Sequence, residues 1–335
     1  MANLFKKLND LKSRFFEFGS YGGDFDDDTL EVKAQKEETP VVKATDQVST
    51  SKSKEDQKLA FNAKPFVVCA IPQTEPVTSD GNRLIKYSKR DGKAYLEMVA
   101  DPDYGLPYGS DRHFLRLLAT KVAQPDSPII PFKDGVSLLR AMGLTKTGPN
   151  LKWLSEAIMR CHHTSIYYVE GDPLNGGKSV VDHIITEVSG FFKEDKKKTK
   201  KGKYFRVSRH FYEFVKVPID ENIIKKLGKN YTAMDLYTYL NHRLYKDGAA
   251  EGVLRLTLDQ LRNHLGVADS KKDKYLKSDL KTAEELLNKA GFGVSIQFED
   301  DLVVIYWRKP KVVLTSKHQQ AFAYLDAARN SLTNN

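Results

Sequence analysis

Cysteine is scarce in this chain: Cys69 and Cys161 are its only thiols in 335 residues. Two thiols make no disulfide framework, so a small secreted scaffold is excluded and a reducing cytosol is expected. Long apolar runs are also missing. No stretch approaches the roughly 20 residues that a membrane-spanning helix needs, and lysines interrupt "LFKKLNDLKSRFF" where a secretory signal would be continuously apolar. Metal-ligand spacing is missing too. The run Cys161-His162-His163 is conspicuous, but neighbours on a helix point about 100° apart and cannot face one ion together. His183 and His210 stand at no spacing that completes a set.

"GDPLNGGKS" (Gly171–Ser179) comes nearest to a phosphate-binding loop. The pattern requires glycine at position 172, however, and the residue there is aspartate. The β-branched "VVDHIITEV" that follows offers no helix N-terminus to hold a phosphate. The His-x-His triplet of a nicking enzyme occurs nowhere. No enzyme, cofactor or metal is expected.

What the chain does have is positive charge in a particular place. The formal net charge is +9, yet residues 1–60 carry 10 Lys+Arg against 12 Asp+Glu, so the other 275 residues carry +11. An anionic partner suits such a body. Leu4, Leu8, Leu11 and Phe15 recur at helical spacing among lysines, which describes a short amphipathic helix over 3–18. From Thr29 to Lys58 the Lys/Glu/Thr/Ser-rich composition is that of a disordered linker.

Order is expected from about Phe61. "FVVCAI" reads as a strand with a buried Cys69, and "RLIKYSKRDGKAYLEMVA" as a hairpin turning at Asp91-Gly92. A helix follows "LPYGS", with Ser110 or Asp111 as N-cap and Phe114, Leu117, Leu118 and Val122 on its apolar face. A short helix closed by Gly143 comes next, then a longer one over 150–163 whose Leu151, Leu154, Ile158 and Cys161 share a face. Lys152, Glu156, Arg160 and His163 fall on the other face. "SIYYVEG", "VVDHIITEVSGFF" and "KYFRVSRHFYEF" read as strands.

The order then recurs. "YTAMDLYTYLNHRLYK" is helical, "TLDQLRNHLG" is a short helix closed by Gly266, and "DKYLKSDLKTAEELLNKAG" is a long one closed by Gly291. "GVSIQFE" and "LVVIYW" form a hairpin around Asp300. Helix, short helix, longer helix and hairpin make a winged helix. The expected fold is therefore α+β: two tandem winged-helix domains preceded by a disordered N-terminal tail. The divisions fall at 1–60, 61–215, 216–312 and a tail at 313–335.

Basic residues mark the surfaces that meet a polyanion. In the helix at 273–290, Leu276, Leu280, Ala283 and Leu287 form the core stripe. Lys274, Lys277 and Lys281 form a second stripe, with Tyr275 and Ser278 nearby and Lys271 and Lys272 just before the helix. A recognition helix uses its N-terminal part in the major groove, so this face is the candidate reader. Lys152 and Arg160 are the candidate contacts of the helix at 150–163. Lys196, Lys197, Lys198, Lys200, Lys201 and Lys203 crowd the expected tip of the first wing with no acid among them. Such a tip neutralises phosphates without reading bases.

"YGLPYGSDRHFLRLLATKVA", "LRAMGLTKTGPNLKWLSEAIMRC" and "VPIDENIIKKLGKNYTAMDLYTYLNHRLY" resemble the plasmid-encoded RepA family of replication initiators, a likeness that runs from Lys64 to Lys311. "CHHT" departs from the family's usual run at that helix end. The resemblance implies a bacterial, cytoplasmic protein on plasmid DNA that binds repeated double-stranded origin sites, opens an AT-rich segment and recruits host initiator and helicase. It also implies a monomeric active form and a homodimer that represses or limits copy number. The alternative on the same architecture is a winged-helix transcriptional regulator without initiator activity.

Overall fold

A computed structural model describes residues 59–91, 94–123, 127–171, 178–192, 202–214, 216–247 and 251–308. The expected helix at 3–18, the linker, the tail at 313–335 and Lys196, Lys197, Lys198, Lys200 and Lys201 lie outside them. Among the described residues no helix is long and apolar enough to cross a membrane.

The chain enters with β1 (Leu59–Ala63) and a single helical turn, α1 (Pro65–Val68). "FVVCAI" is thus not a strand. Pro65 opens a helix, because its fixed φ and missing N–H suit a first helical position. The strand lies just upstream instead. In the pair β2 (Lys86–Asp91) and β3 (Ala94–Ala100), Asp91 pairs with Ala94 and so belongs to the strand.

Next come α2 (Asp111–Val122), β4 (Ile129–Pro131), α3 (Gly135–Ala141) and α4 (Gly148–His162). The two later helices start where sequence chemistry puts them. Asp134 and Ser137 form a reciprocal capping box on α3, and Thr147 Oγ1 accepts from the Asn150 amide at 3.2 Å on α4. Ser110 occupies the cap position of α2 without making a cap bond.

Then follow β5 (Thr164–Glu170), β6 (Lys178–His183), β7 (Ile185–Ser189) and β8 (Tyr204–Val207). "RHFYE" is α5 (Arg209–Glu213) rather than strand, because the Ser208 hydroxyl caps it by accepting from the Phe211 amide at 3.1 Å. β9 (Lys216–Asp220) and α6 (Glu221–Leu227) lead into α7 (Tyr231–Asp247), β10 (Glu251–Thr257), α8 (Leu258–His264) and α9 (Asp273–Ala290). The described chain ends with β11 (Gly293–Glu299) and β12 (Leu302–Arg308). The strands β1, β9 and β10 and the helix α6 carry no pattern strong enough to be expected from sequence.

Two stretches share one plan. In each, a long helix is followed by a strand, two helices and a strand pair. The first strand of each joins the last, giving the orders β4-β8-β7 and β10-β12-β11. The first stretch differs by the hairpin β5–β6, inserted between α4 and β7. This hairpin extends β2–β3 into a four-stranded sheet, β2-β3-β5-β6. The strand that α4 runs into therefore belongs to another sheet and not to the β7–β8 pair.

The buried residues form two clusters. One is built around Phe114, Leu118, Leu154, Ile158, Cys161 and Phe205. The other is built around Leu236, Leu240, Leu276, Leu280, Leu287 and Ile305. β1 crosses between them: it pairs with β9 over five residues, and its Ala60 packs into the second cluster.

The two repeats are joined by buried polar contacts. Arg112 of α2 donates from Nε and one terminal nitrogen to the two oxygens of Asp235 on α7, at 2.8 and 2.7 Å. Its other donors reach the carbonyls of Pro72 and Gly109 at 2.9 and 3.1 Å. Beside it, burial and the Arg116 and Arg112 cations push His113 down from its ordinary range to about 3. A depressed histidine contributes stability that is complete above its unfolded pKa of 6.5 and is lost as pH falls towards 3. Acid titration of the unfolding free energy should therefore slope below pH 6.5 by up to about 1.4 kcal/mol per pH unit. His113→Gln should flatten that limb.

Gly266 closes α8 with φ +58°, and a Cβ placed there would sit 2.0 Å from the Ile71 carbonyl oxygen. Gly266→Ala meets both a left-handed backbone and a backbone clash. It should lower stability by more than the roughly 1–3 kcal/mol of backbone strain alone, read as a shift in urea midpoint.

Candidate nucleic-acid interface

Helix α9 buries Leu276, Leu280, Ala283 and Leu287 and leaves a continuous outward strip. Lys272, Lys274, Tyr275, Ser278, Lys281 and Thr282 are exposed, and Lys277 is half-buried. Tyr275 is 53% exposed, unusual for a ring of that size, and Lys274 Nζ lies 4.9 Å from its centroid. The expected residues are not equally available. Lys271 is paired with Asp279 across the first turns of the helix. Lys281 donates to Glu284 at 2.8 Å and to the Ile296 carbonyl. Lys277 and Lys281 both stand over the Phe298 ring of β11, at 5.4 and 5.7 Å. Lys272, Lys274, Tyr275 and Ser278 therefore form the open tip, flanked on the strand side by Lys277. Thr282, one turn beyond Ser278, shares this strip. Its i, i+4 spacing could have placed it there from sequence.

The strand pair next to α9 ends in acid. Glu299, Asp300 and Asp301 are all exposed at the β11–β12 turn, with Asp300 at φ +46°. A polyanion is repelled there, which favours approach along the N-terminal half of α9.

On α4, Lys152 is exposed and lies 3.9 Å from Glu156. Arg160 is not on the outer face. It is buried, and it donates to both oxygens of Asp111 at 2.7 and 2.9 Å while stacking over the Tyr108 ring. Asp111, fully buried, also accepts from Trp153 Nε1 at 3.0 Å and from the Tyr108 amide at 3.1 Å. A carboxylate enclosed at the start of α2 demands a cation, and α4 supplies it. Arg160 is thereby withdrawn from any surface contact. No spacing rule could show this, since the partner is on another helix.

Cys161 is buried among the core residues of the first cluster. His162 bonds the Ile185 carbonyl through Nδ1 at 3.1 Å, and His163 stacks on Tyr104 with centroids 4.0 Å apart. The His162 and His163 rings meet edge to face with centroids 4.9 Å apart, while Cys161 is in the core. In the lysine-rich connection of β7 to β8, Lys203 alone is described, and it is exposed. Its carbonyl accepts from the Phe132 amide at 3.0 Å, which sets the exposed Lys133 beside it. Lys133 is a cation that the sequence pattern did not single out.

Residues 115–260 match the family model described as plasmid encoded RepA protein. Over that stretch the chain resembles RepA-family proteins. The match runs from inside α2 into α8, so α9 lies beyond it. The chain also resembles the crystal structure of domains 2 and 3 of RctB. Identity is 15%, the TM-score is 0.50, and the likeness covers 74% of this chain and 99% of that one. At that identity the likeness concerns the fold: a mixed α/β arrangement shared along most of the chain. A second crystal structure of RctB domains 2–3 aligns at 16% identity and TM-score 0.43, over 73% and 96% of the two chains. No curated protein sequence matches.

Proposed function

We propose that this chain is a plasmid replication initiator that binds repeated double-stranded origin sites through two winged helices and catalyses no reaction. The observation that carries the proposal is the repeated plan. A chain that resembles RepA-family proteins presents the same helix–strand–helix–helix–strand–strand unit twice with the same strand order, and the third helix of the second unit exposes a basic tip. In this reading α9 enters a major groove with Lys272, Lys274, Tyr275, Lys277 and Ser278 near base edges. Lys271 and Lys281 reach phosphates only by giving up the half-buried Asp279 and Glu284, so they contribute less than the open tip. α4 approaches a neighbouring groove with Lys152. Lys196, Lys197, Lys198, Lys200, Lys201 and Lys203 hold the backbone, with Lys133 beside them. Two such helices on one face of a duplex span about 20 base pairs. Origin opening, recruitment of host replication proteins and a homodimeric resting form belong to the same proposal by family analogy.

Footprinting on DNA flanking the gene, at roughly 150 mM salt to suppress non-specific binding, tests it. Evenly spaced protected repeats beside an AT-rich segment are expected. A single palindrome upstream of a promoter would make the chain a regulator, and no protection at any salt would remove the DNA reading. Changing Lys196, Lys197 and Lys198 to alanine should weaken all duplexes alike. The slope of log affinity against log salt should flatten by about 0.9 per lost phosphate contact. A loss confined to the cognate sequence would contradict that role.

A further inference from the structure

The turn between α8 and α9 decides where the open tip of α9 points. Arg262 of α8 holds it from within its own repeat, reaching the Ala268 carbonyl at 3.4 Å and Asp273, the first residue of α9, and a second set of bonds comes from outside that repeat. The Gln73 amide donates to the Gly266 carbonyl at 3.1 Å, and Gln73 Nε2 donates to the Leu265 carbonyl at 2.9 Å. The same Nε2 lies 3.1 Å from Thr232 Oγ1 on α7. His264 Nδ1 donates to the Val68 carbonyl at 3.0 Å. Lys89, on β2 of the four-stranded sheet that the first repeat's β5–β6 hairpin completes, reaches Asp269 in the middle of the turn at 2.7 Å.

This last pair is lopsided. Lys89 is 6% exposed and Asp269 is 85% exposed. Its ammonium stands 5.8 Å from the centroid of the Tyr87 ring. A cation held in the four-stranded sheet thus tethers a carboxylate on an exposed turn of the second repeat. Three residues further on stands Lys272, the last residue before α9.

We infer that the first repeat, with the sheet it completes, sets the reading position of α9 through this turn, with Lys89 and Gln73 as positioning residues for base recognition. The inference rests on the DNA reading above and adds to it the residues that govern site preference without touching DNA. A tether of this kind acts by pre-organisation: it removes orientations of the helix tip that would otherwise have to be lost on binding.

Charge alone predicts the opposite sign, which makes the idea testable. Asp269 lies next to Lys271 and Lys272, so Asp269→Asn removes a carboxylate from the DNA-facing end and on electrostatic grounds tightens every duplex. Positioning requires instead that Asp269→Asn lower the preference for the cognate site. Lys89→Met, which keeps the stem and deletes a charge too buried to meet DNA, must do the same.

The experiment uses the full chain. It compares affinity for the footprinted site with affinity for a random duplex of equal length, and measures amide exchange across Val267–Lys272 without DNA. Each single change should lower the cognate-to-random ratio about tenfold, the scale of one charge-assisted hydrogen bond. The double change should lower it no further, because the two act as one contact. Asp269→Glu should restore the ratio, and exchange in the turn should quicken in Lys89→Met and Asp269→Asn. An unchanged ratio in both variants, or a uniform gain in affinity for all DNA, overturns the inference. Asp269 is exposed, so its variants stay folded even if Lys89→Met does not. A wild-type chain with no site preference overturns the DNA reading instead, and unchanged exchange in the variants overturns the tether by itself.

Discussion

Replacing Lys274 and Tyr275 together by alanine should lower affinity for the cognate site by roughly a hundredfold or more, at about 1–3 kcal/mol for each lost base-edge contact. The thermal unfolding of the chain should stay where it was. Both side chains lie on the outward strip of α9, away from the buried Leu276 and Leu280, and alanine is the best helix former for an exposed position. Random duplexes should lose only the share due to one lysine. A triple change of Lys274, Lys277 and Lys281 is a blunter test, because Lys281 also holds Glu284 and the Ile296 carbonyl at the strand pair. Wild-type affinity for the cognate site in the Lys274/Tyr275 variant would take this face out of the interface. Equal losses on cognate and random DNA would reduce it to a phosphate contact.

The second large effect concerns stability. Asp111→Ala should destabilise the chain by about 3–5 kcal/mol, since it leaves the buried Arg160 guanidinium with only Glu156, at 3.9 Å, and Trp153 without its acceptor. Urea unfolding gives the number. Replacing both partners with apolar residues, as in Asp111→Leu with Arg160→Met, should recover much of the loss, because an apolar pair carries no desolvation penalty. The double variant also tests the placing of Arg160. With the guanidinium inside, DNA affinity should stay within about twofold of wild type, a change of under 0.5 kcal/mol. A selective loss of cognate binding in a variant of restored stability would return Arg160 to the contact set. A small effect of Asp111→Ala would mean that the carboxylate is dispensable to the core.

Legibility followed the range of the forces involved. The helices α3, α4, α8 and α9 could be read because caps and glycine stops act within four residues and apolar stripes within a few turns. Thr147, the Asp134–Ser137 box, Gly266 and Gly291 all stand where such rules put them. The hairpin β11–β12 was legible for the same reason, its turn being set by Asp300. "FVVCAI" and "RHFYEF" misled because apolar and β-branched content outweighed one local signal in each, Pro65 and Ser208. The pairing of β1 with β9 left no local trace at all, since the ladder joins segments more than 150 residues apart.

The candidate interface divides in the same way. Sequence alone determined that the chain carries the helix order twice, that its positive charge lies outside the first 60 residues, that α9 has one apolar and one basic face, and that its motifs resemble those of the RepA family. Tertiary structure decided which charges are available. Arg160 is inside because a buried Asp111 on another helix requires it, Lys271 and Lys281 are tied to nearby acids, and Lys89 reaches from β2 to Asp269. Periodicity assigns a residue to a face. Whether a charge on that face meets solvent or a counter-charge depends on which distant segment packs there, and burial of an ion is tolerated only where that segment brings its partner.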